Sequence, residues 1–145
     1  MVELNDAVKI ILKNNMWYIG TCGYEPNIVP VGFKEVTDDC KLIVGVLHLK
    51  NTISNINKNN VVTVSAYNRN ISSVNIINRH IKFYSDGAYG VIGYNVTGAA
   101  KFIQDGPYVE KWKAVAEKML KGTIPVIRVL EITPENVERA FPDKI

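Results

Sequence analysis

The sequence predicts a mainly β protein, an antiparallel β-barrel with appended helices, and we expect residues 1–145 to form one domain. Six or seven short strand-like stretches follow one another closely along the chain. Few helical segments interrupt them, so the long crossovers that a parallel sheet requires are missing. A chain of 145 residues, of which 47% are hydrophobic, is also long enough to bury a continuous core.

Composition excludes several classes of protein. The net charge is only +3, and no stripe of Lys and Arg alternates with aromatics, so we expect no nucleic-acid partner. No run approaches the roughly 20 apolar residues that a membrane span needs. The N-terminus lacks the pattern of a signal peptide, and we therefore expect a cytoplasmic protein. Cys22 and Cys40 have no zinc-site spacing, so we expect two buried thiols and no metal.

The first part of the chain predicts a helix and two strands. Apolar residues spaced i, i+3, i+4 and i+7 place the helix at about residues 5–13. The aromatic and β-branched run at 17–22 predicts a strand, and a second strand is predicted at 27–36. Because proline cannot donate to a β-ladder, Pro30 must lie at an edge, at a bulge, or where the chain leaves its neighbour. This segment therefore either faces a ligand or forms a simple bulge.

The next part predicts two strands around a short helix. The strands are the nearly continuous apolar runs at 41–47 and 61–67. Between them, Lys50, Asn51 and Thr52 form a basic and hydroxyl-rich corner at a helix start. A helix start presents backbone N–H groups and a positive dipole end to anions. The corner either holds a phosphate or is a plain N-cap, in which Asn51 or Thr52 satisfies free N–H groups.

The second half of the chain predicts further strands and one longer helix. The predicted elements are a loop or edge hairpin at 68–78, a short strand at 79–83, a strand at 91–102, a helix beginning at Asp105-Gly106-Pro107, a strand at 124–132 and a helical turn at 134–140. The helix should bury Tyr108, Trp112, Val115, Ala116 and Met119. Three consecutive small residues, Gly98, Ala99 and Ala100, predict that another backbone, a ligand or a barrel corner comes close.

The order of these segments resembles a known family. The segments concerned are WYIGTCGYEPNIVPVGF, KLIVGVLHLKNTISNINKNNVVTVSAY, GYNVTGAAKFIQDGP and IPVIRVLEITP. In this order they look like the flavin-binding split barrel of the pyridoxamine 5′-phosphate oxidase type, and most of all like its small FMN-binding proteins. The resemblance covers about residues 7–134. It implies a split β-barrel with bound FMN, and a homodimer that holds FMN at the subunit interface.

The resemblance also implies which residues contact FMN. The segment that would lie along the isoalloxazine ring consists of Ile28, Val29, Pro30, Val31 and Gly32. The segment that would hold the phosphate consists of Leu49, Lys50, Asn51 and Thr52, with Asn55 one turn further on.

The source of positive charge is the point at which the chain departs from the family. The commoner arrangement has a basic residue directly before the threonine, but here Asn51 precedes Thr52 and the lysine is one residue earlier. The charge then comes from Lys50, Lys34 or Arg69. His48 is either a donor to a flavin oxygen or an ordinary surface residue. Residues from 84 to 93, or Trp112, would reach the flavin of the partner.

The implied function is that of a small flavin-dependent oxidoreductase or electron carrier. Pyridoxamine phosphate oxidation itself is not expected, because the tail VERAFPDKI lacks the basic, His-containing substrate segment of that enzyme. No Ser/His/Asp triad is visible, so no catalytic residue is assigned. A deazaflavin (F420) or haem protein with the same barrel, and a binding module without enzymatic activity, are the alternatives.

Overall fold

A computed structural model describes residues 1–46, 49–69, 73–77, 80–84, 91–120 and 128–140. Within these ranges the chain forms three helices and nine strands. In chain order they are α1 Asp6–Asn14, β1 Trp17–Cys22, β2 Pro26–Val31, β3 Lys34–Val36, β4 Leu42–Val46, α2 Lys50–Lys58, β5 Val61–Arg69, β6 Ser73–Ile77, β7 His80–Tyr84, β8 Val91–Ile103, α3 Pro107–Leu120 and β9 Arg128–Arg139.

Seven strands form one antiparallel sheet in the order β2-β1-β5-β8-β9-β4-β3, which confirms the predicted fold class. Strands β6 and β7 form a separate antiparallel hairpin. Strand β6 lies within the region predicted as a loop or an edge hairpin, and β7 corresponds to the short strand predicted at 79–83. Because the two strands form a sheet of their own, they are not an edge hairpin of the main sheet. The predicted strand segments at 47 and 124–127 lie outside the described residues.

The link between β2 and β3 forces the sheet to curl. These strands lie at opposite edges of the sheet, yet only two residues, Gly32 and Phe33, separate them. A link of that length spans about 10 Å. A flat sheet of seven strands would hold its edges roughly 29 Å apart. The edges must therefore approach each other, which produces the barrel. The single strand predicted at 27–36 is in fact two strands. Of the three positions expected for Pro30, the edge of the sheet is the one observed.

Strand β9 continues to Arg139, so the predicted helical turn at 134–140 is wrong. Pro134 lies within this strand, where the register of β8 and β9 shifts at Thr97/Gly98. A proline is tolerated at such an irregularity because it has no hydrogen to donate to the ladder. A Cβ atom on Gly98 would collide with the carbonyl oxygen of Thr133. Of the three alternatives predicted from the small residues, close approach of another backbone is the one observed at Gly98.

Two apolar clusters cover the two faces of the sheet. The larger one fills the barrel, where Trp17, Ile19 and Leu130 are fully buried together with Ile11 of α1. Helix α1 begins where predicted, because the Asn5 side chain accepts a hydrogen bond from the Val8 N–H at 3.0 Å.

Helix α3 covers part of the other face. Its buried residues include Trp112, as predicted, and Val109, which was not predicted. Met119 is 63% exposed, so its predicted place in the stripe is wrong. Cys40 is buried as expected, whereas Cys22 is exposed because it ends β1 on the outward side.

Replacing Gly98 with alanine should destabilise the protein by about 2 kcal/mol or more, since the added methyl group would collide with backbone that cannot rotate away. Urea denaturation measures the free energy of unfolding. The matched control is Gly32→Ala, because a Cβ there meets nothing within 4 Å. Equal stabilities of the two variants would contradict the bulge geometry.

Candidate functional site

Helix α2 begins at Lys50, after Leu49 as its N-cap residue, and no side chain caps its first turn. The hypothesis that Asn51 or Thr52 is the N-cap is therefore wrong. Thr52 is instead the third residue of the helix and is only 1% exposed. The backbone N–H groups of a first helical turn have no partner inside the helix. In this helix no side chain of a capping residue takes their place.

Lys50 and Arg128 bring two positive charges to the start of α2. Together with Ile53 and Ser54 they line a cleft of about 380 Å³. The first turn of the helix contains no acidic residue. A cation at this end of a helix is unfavourable by roughly 0.3–1 kcal/mol. Neither cation pairs with an acidic side chain in the described ranges. We call this feature the cationic cleft, and its chemistry suits an anion.

A second cleft, of about 350 Å³, lies on the other side of the exposed ridge of α2. We call it the polar cleft. It is lined by Tyr24, Glu25, Pro26, Asn27, Asn51, Ser54 and Asn55. Ser54 lines both clefts. The two clefts are therefore neighbours that meet at a small side chain.

The residues predicted to hold the phosphate are divided between these clefts. Successive helical residues point about 100° apart. Lys50 accordingly lines the cationic cleft, while Asn51 and Asn55 line the polar cleft. Thr52 lines neither, and its hydroxyl accepts a hydrogen bond from the Asn27 side chain at 2.9 Å. The charged side chain of the predicted phosphate site, Lys50, therefore lines a different cleft from its amide side chains, Asn51 and Asn55.

Asn55 fixes α2 to the turn between β1 and β2. Its amide nitrogen donates to the Thr21 hydroxyl at 3.1 Å and to the Glu25 carbonyl at 2.8 Å. Its amide oxygen accepts from the Tyr24 N–H at 3.1 Å. Asn55 is only 4% exposed. Its side chain is therefore part of the scaffold, and it forms the rigid floor of the polar cleft.

Further contacts tighten the same junction. The Asn59 amide donates to the Cys22 carbonyl at 3.0 Å. A Cβ on Gly23 would lie 2.6 Å from the Asn55 carbonyl oxygen, so the turn packs directly on the helix backbone. The Lys58 ammonium lies 4.0 Å from the centre of the Tyr24 ring. The asparagines of this segment thus join α2 to the β1–β2 hairpin.

Strand β2 contains the residues predicted to lie along a flavin ring. Exposure alternates along it, so that Ile28 is 72% exposed and Pro30 is also exposed, while Val29 is half-buried and Val31 is buried. Gly32, just beyond the strand, is exposed. The outward positions therefore present an apolar edge that begins beside the polar cleft, since Pro26 and Asn27 line that cleft.

The other candidates for positive charge or flavin contact lie elsewhere. The Lys34 ammonium donates to the Leu12 carbonyl at 3.1 Å and lies 5.1 Å from the Trp17 ring centre, and burial lowers its pKa. It lines neither cleft. Trp112 packs on Phe33 in the cluster under α3, with ring centres 5.6 Å apart. The predictions for His48, for the Arg69 side chain and for 85–90 fall outside the described part of the chain.

Sequence reasoning missed Arg128 as a site residue. It begins β9 and pairs with Val46, the last residue of β4, which leads into α2. Its guanidinium lies 5.7 Å from the centre of the Phe102 ring. An arginine inside an otherwise apolar strand is the signal that could have identified it, but its position beside Lys50 depends on strand pairing.

Comparison with solved structures identifies the fold. A candidate pyridoxamine 5′-phosphate oxidase from Lactobacillus delbrueckii has a TM-score of 0.60 and 21% identity, and the match covers 94% of this chain and 93% of that protein. An FMN-binding protein from Syntrophomonas wolfei has a TM-score of 0.64 and 14% identity, with 94% and 86% covered. The chain has the split-barrel fold.

Other split barrels differ in what they hold. HutZ, the haem storage protein from Vibrio cholerae, matches with a TM-score of 0.61 and 9% identity, over 90% of this chain and 89% of its own. No protein-family model and no curated protein matches the chain in sequence. These similarities, at 9–21% identity, show the fold of the chain.

None of the three helices that the structure describes combines the length and the apolar character that crossing a membrane requires. No group of three or more His, Cys, Asp or Glu side chains in the described ranges could hold a metal ion.

Replacing Asn55 with alanine should destabilise the protein by about 3 kcal/mol, because three buried hydrogen bonds are lost and their partners are left unsatisfied. The matched control is Asn57→Ala, an exposed asparagine on the same helix, which should change stability by less than about 0.5 kcal/mol. Chemical denaturation of both variants measures the difference. An Asn55→Ala variant as stable as the control would show that the junction is not held in this way.

Proposed function

We propose that this split barrel binds FMN, with the phosphate in the cationic cleft at the start of α2. The observation that carries the proposal is the convergence of Lys50, Arg128 and an uncapped helix start, with no acidic partner in the described ranges. A phosphate monoester carries the charge and the acceptor oxygens that such a set of donors prefers. The donor set therefore fits the phosphate of FMN.

The flavin ring would lie along β2. Ile28 and Pro30 offer an exposed apolar edge there. Because Pro30 has no N–H to donate, this edge is poorly suited to pair with another strand. The order of surfaces, from cations through polar groups to an apolar edge, matches the order of phosphate, ribityl chain and tricyclic ring in FMN. This match is what supports FMN over other anions.

The chain would act as a flavin-dependent oxidoreductase or electron carrier. Bound FMN supplies the redox chemistry, since it accepts and returns electrons or hydride. The protein holds the phosphate through Lys50 and Arg128, and the Asn55 junction keeps α2 fixed against the hairpin that bears the ring site. The apolar edge of β2 removes water from one side of the ring.

Haem is the second candidate ligand, because HutZ shares the fold and two cations also suit two propionate groups. Haem iron in proteins is held by an axial ligand such as histidine, and His48 and His80 are the two histidines of the chain. The polar cleft lies between the cations and β2, and the apolar macrocycle of haem has no polar group that would occupy it. F420, which is also a phosphate-bearing cofactor, fits the same cations.

Lys50→Ala and Arg128→Ala should each weaken FMN binding about tenfold, because each removes a charge-assisted hydrogen bond, while riboflavin binding stays unchanged. Quenching of flavin fluorescence measures both affinities. Lys113→Ala is the control, since Lys113 is an exposed lysine of α3 that lines neither cleft. Equal losses of affinity for FMN and for riboflavin would contradict the placement of the phosphate in this cleft.

The visible spectrum of the purified protein, and titration with FMN and with haem, identify the cofactor directly. We expect the absorption of a flavin and release of FMN on acid treatment. Uptake of haem without uptake of FMN would contradict the proposal and support the haem alternative. Uptake of neither ligand would indicate a binding module of another kind.

We further propose that the protein is a homodimer with FMN at the interface. A ring placed on β2 is covered on one side only, because β2 is an edge strand and Ile28 on its outward face is 72% exposed. A second copy would cover the other side. Light scattering should give twice the chain mass of 16.2 kDa. A monomer that binds FMN with full affinity would contradict an interface site.

A further inference from the structure

Helix α3 buries one hydrogen-bond donor that has no acceptor. Among the buried side-chain polar atoms of the described residues, the indole Nε1 of Trp112 alone lacks a hydrogen-bond partner. Trp112 is only 9% exposed, and the solvent does not reach this N–H group. An indole nitrogen can only donate, and an unpaired buried donor lowers the equilibrium constant for the buried state by roughly 5- to 150-fold. The docked position of α3 is therefore less stable than its apolar packing alone would make it.

The other tryptophan of the chain has the acceptor that Trp112 lacks. Trp17 is fully buried in the barrel, and its Nε1 donates to the Leu12 carbonyl at 2.6 Å. Exposure of the Trp17 indole would break this hydrogen bond and open the larger apolar cluster. Exposure of the Trp112 indole breaks no hydrogen bond of its N–H group and allows that group to bond with water. The two indole groups therefore differ in what holds them inside the protein.

A small apolar cluster and one ion pair hold α3 on the sheet within the described ranges. The buried side chains of the helix among those described are Val109, Trp112 and Ala116. The Lys111 ammonium lies 2.6 Å from the Glu35 carboxylate of β3, and the Lys111 side chain is 55% exposed. An exposed ion pair changes an equilibrium constant by about fivefold at most. Elements with so little attachment open before the rest of a domain does.

The chain can bend directly before α3. Gly106 precedes the helix with a φ angle of +107°, a backbone conformation that favours glycine. A Cβ atom at this position would meet nothing within 4 Å, so Gly106 is surrounded by open space. Residues at the end of an element that can absorb changes of backbone angle act as hinges. The start of α3 has the properties of a hinge.

We propose that α3 is a lid, fastened by its ion pair with β3, that swings about Gly106 and exposes the Trp112 indole while the sheet stays folded. In the closed state the Trp112 ring lies over Gly45 and packs on Phe33, with the two ring centres 5.6 Å apart. In the open state the indole N–H donates to water and gains the hydrogen bond that the closed state lacks. Opening uncovers the part of the smaller apolar cluster that belongs to the sheet. This inference does not depend on FMN, because it concerns only how α3 packs on β4 and β9.

Hydrogen exchange of the two indole groups tests the lid in the unmodified protein. The chain has two tryptophans, so ¹⁵N-labelled protein gives two indole N–H signals, and Trp112→Phe assigns them by the loss of one. We expect the Trp112 indole hydrogen to exchange at least about a hundredfold faster than that of Trp17 under conditions in which the protein stays folded. Equal rates would overturn the lid, since both hydrogens would then be released only by unfolding of the whole domain.

The backbone amides provide a second measurement that needs no variant. The amide hydrogens of α3 should exchange faster than those that join β4 to β9, because the lid opens while these strands stay paired. Amides of α3 that are as well protected as those of β4 and β9 would contradict the lid.

A pair of lysine variants tests how the lid is fastened. Lys111→Ala removes the ion pair with Glu35 and should speed exchange of the Trp112 indole hydrogen about threefold, with the Trp17 rate unchanged. Lys113→Ala is the matched control, because Lys113 is an exposed lysine of the same helix without an ion pair in the described ranges. No acceleration in Lys111→Ala, or the same acceleration in Lys113→Ala, would contradict a lid fastened by this pair. Flavin takes no part in these measurements, so the lid and the proposed function can fail separately.

Discussion

The two-residue connection between β2 and β3 is the constraint on which the rest of the structure depends. Because Gly32 and Phe33 carry the chain from one edge of the sheet to the other, the sheet has to curl until its edges meet. The curl creates an interior for the larger apolar cluster. It also gathers the ends of β1, β4 and β9 around helix α2. Both clefts lie at that end of the barrel, so the site is a product of barrel closure.

Helix α2 derives its importance from its side-chain contacts with the β1–β2 hairpin. An isolated helix of nine residues would be only marginally formed in water. Tertiary contacts therefore stabilise α2 in place of intrinsic helix propensity. They are the hydrogen bonds of Asn55 and Asn59 and the packing of Gly23 on the helix backbone. The helix can then leave its first turn uncapped and place Lys50 at its positive end. The uncapped first turn and the lysine at the positive end of the helix are each unfavourable by themselves, and together they make the cationic cleft suitable for an anion.

Much of the fold could be predicted from the sequence because it depends on local patterns. Alternation and apolar runs identified most of the described strands, and Pro30 indicated an edge strand, although the chain changes partners only at Gly32 and Phe33. The failures concern long-range effects. Pro134 looked like the start of a helical turn, but a bulge opposite Gly98 accommodates it in a strand. Arg128 joins Lys50 only through strand pairing, which no spacing along the chain reveals.

The side chain of Asn55 has a thermodynamic consequence beyond stability. It couples the opening of the hairpin turn to that of α2, since the turn cannot leave the helix without breaking two hydrogen bonds to Asn55, and the helix cannot leave the hairpin without breaking all three. A ligand that holds the start of α2 must therefore also slow the exchange of the amide hydrogen of Tyr24, which is hydrogen-bonded to the Asn55 side chain. Linkage is reciprocal. A molecule that binds the turn will therefore increase the affinity for an anion at the start of α2 by the same factor as the anion increases the affinity for that molecule.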